Sequence, residues 1–325
     1  HQSAASLAQS GTDFIGVNAH FFGRLFHFAA GVGPDITGST LHIFHNLRHR
    51  IASNFRLSHR GIVCLLFIIR LCVRYFVRLK ICIFILDGIQ FLVLLVFFRN
   101  FDGNGHTVSG LSITQDGSNM GLFRYVDASA LIQNLTVSGE IIPDGSRSAV
   151  GGIAGHNAGK IQNCFFDGTV SGSDDVGGIA GQADSATIEA CANYATVTGT
   201  SRNVGGIVGR LNGKSAARST VLRCANFGTI SNGTNNFSAG IVGTAYYTTL
   251  SECYNVGSAT GNRVGGILGQ TDSNTTVTSC YNAGAITLAA AGNYNYAGSL
   301  IGYNDGGSVS NCYYLTGMQA IGRGS

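Results

Sequence analysis

The chain has almost no proline, 2 residues in 325, which excludes collagen-like and polyproline architectures. Charge is scarce too. Asp, Glu, Lys and Arg make up 11% of residues against 45% hydrophobic ones, the reverse of the balance that keeps a chain disordered. None of the 9 cysteines forms a Cys-x-x-Cys pair, so a zinc site of that kind has little support. An initiator Met is missing. A chain opening on His1 reads as a fragment or processed product whose export signal would lie outside it.

Glycine, by contrast, is abundant and unevenly spread: 8 of the 47 fall in residues 1–100 and 39 in residues 101–325. Charge divides at the same point. Residues 1–100 hold ten Lys and Arg against three acids (Asp13, Asp35 and Asp87), while residues 101–325 hold ten against thirteen. The net charge of +4 therefore describes neither part. The break comes just before Phe101-Asp-Gly-Asn-Gly105, which divides the chain into 1–100, a repeat region 101–317 and a C-terminal tail 318–325.

The second part repeats. Val150-Gly-Gly-Ile-Ala-Gly155 returns at Val176–Gly181 and, with one change, at Val204–Gly209. Looser copies start at Ser238, Val264 and Ala297, and Gly121-Leu-Phe-Arg124 reads as a degenerate first copy. Taking Gly121, Gly152, Gly178, Gly206, Gly240, Gly266 and Ser299 as equivalent gives intervals of 31, 26, 28, 34, 26 and 33 residues. A cysteine follows each of the last six anchors: Cys164, Cys191, Cys224, Cys253, Cys280 and Cys312, with Leu135 in that place in the first unit. A short β-prone run follows in turn, such as Thr136-Val-Ser-Gly139, Thr169-Val-Ser-Gly172 or Thr196-Val-Thr-Gly199. Three short strands per unit, separated by Gly, Asn, Asp and Ser and without helical periodicity, describe one rung of a solenoid. Equivalent residues then stack into columns at a rung height of about 4.8 Å. The glycines suit corners that need φ > 0.

The Gly-Gly-Ile-x-Gly core, the following Asn-Cys-Tyr-Asn and the lead-in Phe101-Asp-Gly-Asn-Gly-His-Thr-Val-Ser-Gly-Leu111 resemble the GLUG-motif repeats of bacterial surface proteins, repeats also found in some immunoglobulin A-cleaving metallopeptidases. The resemblance implies an all-β fold, a right-handed parallel β-helix of about seven rungs, on an exported protein. It implies no catalytic residue and no cofactor, because such repeats are accessory to any enzyme.

Alternation along the strand sets what each column does. The six cysteines should point inward and pack as small apolar groups, since parallel side-chain vectors suit disulfide geometry poorly. Two residues later Asn193, Asn226, Asn255 and Asn282 should form a hydrogen-bonded ladder. One residue after the cysteine the side chain should face out, in the column Phe165, Ala192, Ala225, Tyr254, Tyr281, Tyr313. Tyr254, Tyr281 and Tyr313 are the candidate ligand-binding residues, an amphipathic strip suited to a sugar or a partner protein; the blander alternative is rings stacked on each other. The expected function is a non-catalytic extracellular or cell-surface module that binds a glycan or host protein or acts as a spacer. A polysaccharide lyase or glycoside hydrolase is the alternative. It would need a carboxylate pair across a cleft, or acids with a Lys or Arg base around calcium, and the acids of the repeats, Asp174, Asp175 and Asp184 among them, share no register. The glycine runs open no helix, so they are not a nucleotide fingerprint. Asp102-Gly-Asn104 lacks the later ligands of a calcium loop. No metal and no nucleic-acid partner is expected.

Residues 1–100 do not repeat. Ile81–Phe98 is an 18-residue hydrophobic run broken by Asp87 and Gln90, just long enough for a membrane helix. Arg70, Arg74, Arg78 and Lys80 precede it, on the side the positive-inside rule places in the cytoplasm. Two readings compete: a membrane anchor through 81–98, helical or else unstructured, and an out-of-frame translation upstream of Phe101, because 62–98 shows neither alternation nor turn punctuation. His42, His45 and His49 would share a helical face, which reads as a basic flank rather than a metal site.

Overall fold

The computed structural model describes the strand Val96–Phe97 and residues 100–145, 147–233, 237–289, 295–315 and 319–324. The histidine face at 42–49 and the hydrophobic run, apart from Val96–Phe97, lie outside the described residues. No helix of the described residues is long and apolar enough to cross a membrane.

The described residues are all β and wind into a parallel solenoid of about seven turns. One turn shows the plan. Ala180–Asp184 belongs to a first sheet of nine strands. Thr187–Glu189, Ala192–Asn193 and Thr196–Gly199 lie side by side in a second, broad sheet. Val204–Gly205 then enters a third sheet of six strands before the chain returns to the first. In the lower turns the three segments of the broad sheet fuse into the continuous strands Leu131–Ile141 and Lys160–Gly172. The first sheet reaches beyond 101–317 at both ends. Val96–Phe97 pairs with Phe123–Val126, and Ile321–Gly324, in the segment expected as a tail, pairs with Ile301–Asn304.

Two details differ from the sequence reading. Thr136-Val-Ser is not equivalent to Thr169-Val-Ser: Thr136 pairs with Phe165, and Glu140-Ile141 pairs with Thr169-Val170. The likeness of the two Thr-Val-Ser-Gly tetrapeptides therefore misplaces the register by four residues. The corners also belong to other residues than expected. No glycine of the Gly-Gly-Ile-x-Gly runs has a left-handed φ; the residue before each cysteine does, namely Asn163, Ala190, Arg223, Glu252, Ser279 and Asn311, with Asn134 before Leu135. The motif glycines answer to crowding. A Cβ on Gly178 or Gly206 would fall on the carbonyl oxygen of the next rung's glycine and on the side chain of Asn193 or Asn226 respectively.

Inward-facing columns make the core. Ile153, Ile179, Ile207, Ile241 and Ile267 rise from the glycine runs, opposite Ile161, Ile188, Val221, Leu250 and Val277, all fully buried. Burying each such side chain contributes about 1.5–3 kcal/mol. Between them stands the asparagine ladder. Asn193 Nδ2 donates to Asn226 Oδ1, Asn226 to Asn255 and Asn255 to Asn282, each at 2.7 Å. Each amide also closes its own turn: Asn226 Nδ2 donates to the Gly228 carbonyl at 3.1 Å, and Gly228 N–H donates back to Oδ1 at 3.3 Å. Truncation at Asn226 strands buried partners above and below, so Asn226→Ala should lower the unfolding free energy by about 2–4 kcal/mol in a urea titration. A loss within error of zero would show that the ladder adds nothing.

The cysteine column packs as expected, with all six thiols free and Cys164 to Cys280 buried. Each thiol donates to the carbonyl two residues earlier, as Cys191 does to Glu189 at 3.2 Å. Burial pushes the thiols of Cys224 and Cys253 well above their ordinary value. Cys280 rises to about 12, chiefly through its hydrogen bond with Cys253. The hydrogen bond with Cys280 raises the Cys312 thiol as well, so access rather than acidity should set the order, and iodoacetamide should label half-exposed Cys312 before buried Cys224 or Cys253 in the native protein. Peptide mapping reads the order, and equal rates would show that the column opens.

Candidate functional site

The aromatic strip follows from strand alternation. With each cysteine held inside, the next residue has the opposite parity, and the pairs Ala192–Ala225, Ala225–Tyr254, Tyr254–Tyr281 and Tyr281–Tyr313 stand in register; against the expectation of an outward column throughout, Ala192 and Ala225 are buried. Tyr254, Tyr281 and Tyr313 are 41%, 38% and 68% exposed. Two further rings join the strip, Tyr194 and Phe227, which the sequence reading missed. They stand three residues after Cys191 and Cys224, a position with the same outward parity as the tyrosine column, so the signal was present.

The rings are not alike. Tyr194 and Phe227 stack face to face, centroids 4.9 Å apart and 3° from parallel. Phe227 meets Tyr254 edge to face at 5.7 Å. The blander expectation, rings that cover each other, therefore holds in the lower half of the strip. Among the described residues no ring packs on Tyr281 or Tyr313, and the hydroxyls of Tyr254, Tyr281 and Tyr313 have no hydrogen-bond partner.

Charge near the strip is internally balanced. Lys160 Nζ lies 2.6 Å from Glu189, Arg223 pairs with the same carboxylate, and Arg223 reaches Glu252 at 4.0 Å. The hydrogen bond from Lys160, more than any other influence, holds the Glu189 carboxyl below its usual range.

The remaining acids are tied into the frame. Asp175, at a left-handed corner, accepts from Asn203 at 2.7 Å and lies 3.3 Å from Arg210 Nε; burial still pushes its carboxyl upward. Its neighbour Asp174 accepts from the Arg202 N–H at 2.9 Å. Asp102 accepts from Asn104 N–H at 2.8 Å and from Gln133 and Asn134, so this carboxylate braces a turn. The described residues hold no group of three or more side chains arranged for a metal ion.

Asp184 has three side-chain partners. His156 Nε2 lies 2.8 Å from Oδ2, Gln182 donates to the same oxygen at 2.7 Å, and Asn212 donates to Oδ1 at 3.0 Å. Burial pushes this carboxyl up, but the three hydrogen bonds together outweigh it and hold it below its ordinary value. A depressed acid stabilises the fold above its unfolded value and loses that contribution as pH falls through its folded one. The melting temperatures of wild type and Asp184→Asn should therefore differ near neutral pH and converge in strong acid. A gap independent of pH would overturn this.

The family model of the GLUG motif matches residues 146–171. The chain is 40% identical over 87 residues to halomucin of Haloquadratum walsbyi, covering 26% of this chain and 1% of that protein. It is 35% identical over 69 residues to a Gly-rich membrane protein of Evansella cellulosilytica, covering 21% of this chain and 8% of that one. The chain thus spans only a small part of either relative's length. Among solved structures, a Bacteroides ovatus protein described as an immunoglobulin A1 protease aligns over 66% of this chain and 68% of its own, at 19% identity and a TM-score of 0.42. The matched segment covers the strands Ser148–Gly151 and Ala154–Asn157 and nearly all of Lys160–Gly172, about one turn of the solenoid: the chain carries the GLUG motif.

Proposed function

We propose that the solenoid is a non-catalytic repeat module displayed outside the cell or on its surface, and that it binds a glycan or a host protein through Tyr254, Tyr281 and Tyr313. The observation that carries the reading is an exposed, in-register aromatic column whose two upper rings have no ring of the described residues packed on them. Amphipathic rings exposed in a row favour recognition over scaffolding. A surface location is supported by the GLUG motif and by the names of the two relatives, halomucin and a Gly-rich membrane protein.

The lyase or hydrolase alternative gains nothing from the geometry. Asp102, Asp174, Asp175, Asp184 and Glu189 each brace a turn or a neighbouring rung, which leaves them committed to the frame rather than poised across a cleft. A pure spacer would show the same ladders and no dependence on the strip. Tyr281→Ala and Tyr313→Ala should each weaken retention on immobilised polysaccharide or host glycoprotein, Tyr254→Ala less, with unchanged melting curves. Unchanged retention in all three variants would remove the strip as the site and leave the spacer.

A further inference from the structure

The strip has a direction and a repeat. Tyr254, Tyr281 and Tyr313 pair rung on rung, so the backbone points that carry the rings advance along the solenoid axis by one strand spacing, about 4.8 Å. Hydroxyls run along both sides. On one side stand Ser251, Thr278 and Ser310, paired in register. On the other stand Thr260 and Thr287, also in register, with Ser258 beside them. None of these hydroxyl-bearing residues is buried. The corner residues between the hydroxyls and the tyrosines are Glu252, Ser279 and Asn311, and Glu252 faces Arg223. The upper strip therefore offers exposed rings in a column, hydroxyl edges on both flanks and no uncompensated charge.

That pattern selects among glycans. A β-1,4-linked chain of equatorially substituted pyranoses is a flat, straight ribbon that advances by slightly more than one rung height per sugar. Successive sugars turn over, but both faces of such a ring present axial C–H groups, so either face can stack on tyrosine. Its hydroxyls project from the ribbon's edges, where the serines and threonines lie. An α-1,4-glucan coils and would carry its faces off a straight column within a few sugars. A uronate chain would bring one negative charge per sugar to a strip with no spare cation.

We infer that the strip of Tyr254, Tyr281 and Tyr313 takes a neutral β-1,4-linked polysaccharide, lying parallel to the solenoid axis with about one sugar per rung. This rests on the reading of the strip as a glycan site. Because ring pitch and sugar pitch differ slightly, misfit accumulates with length, and affinity should level off once about three sugars cover the three rings.

Calorimetry on the full chain tests this with cello-oligosaccharides of two to six sugars, maltohexaose and hexagalacturonate as probes. The expected result is binding of the cello series only, levelling near the trimer. Tyr281→Ala and Tyr313→Ala should each weaken cellohexaose binding about tenfold, or about 1.4 kcal/mol, while Tyr281→Phe retains most of it because the ring does the stacking. If maltohexaose or hexagalacturonate binds better and the tyrosine variants lose that binding, the strip stands as a glycan site and the β-linked assignment is overturned. If cellohexaose binds and the variants bind it as wild type does, the strip assignment is overturned. If no probe binds, the inference fails; the tyrosine variants' retention on host glycoprotein then decides whether the strip recognises a protein instead.

Discussion

The fixed height between parallel rungs governs the rest of the molecule. Once strands stack in register at about 4.8 Å, every residue type that repeats in the sequence becomes a column in space. A column is tolerated only if identical side chains can stand on one another. Asparagine meets that condition inside the core because its amide is both donor and acceptor, so Asn193, Asn226, Asn255 and Asn282 pass a hydrogen bond from rung to rung. Glycine meets it where the chain runs against those amides, as at Gly178 and Gly206, where even a methyl group would collide with backbone. The glycine run and the asparagine two residues after the cysteine are thus two halves of one contact.

Corners impose the second constraint. Each rung turns just before its cysteine through a single left-handed residue, and only Asn134, Asn163 and Asn311 in that column are the residue type that favours the conformation. Ala190, Arg223, Glu252 and Ser279 adopt it against a local cost of about 1–2 kcal/mol each. The stacked core on either side outweighs that cost, since each buried Ile or Val column adds a comparable amount at every rung. The corner also releases the side chain outward, so Arg223 and Glu252 reach each other and Glu189 across the surface.

Function is confined to what the frame leaves over. Inward positions are committed to packing, and most carboxylates brace turns or rungs. The position after each cysteine changes along the stack from buried Ala192 and Ala225 to exposed Tyr254, Tyr281 and Tyr313. Freedom of that kind is where recognition can vary from rung to rung without disturbing the solenoid. The lower rings, Tyr194 and Phe227, close on each other, and the free faces lie at the upper end.

By itself the sequence determined the repeat, the strand content, the inward cysteines, the asparagine ladder and the outward tyrosines. All of these follow from period and from two-residue alternation, which any strand must obey. Three things only the tertiary structure decided. The identity of the corner was hidden, because Ala190 or Glu252 in a left-handed turn carries no local signature and is held there by its neighbours. The register of Thr136 was hidden, because Thr136-Val-Ser-Gly139 copies Thr169-Val-Ser-Gly172 in sequence while Phe165 rather than Thr169 stands beside Thr136. The inequality of the rings was hidden as well. The outward side follows from parity, but whether a residue there is exposed, as Tyr254 is, or covered, as Ala192 and Ala225 are, depends on side chains across rungs that lie about thirty residues apart in the chain.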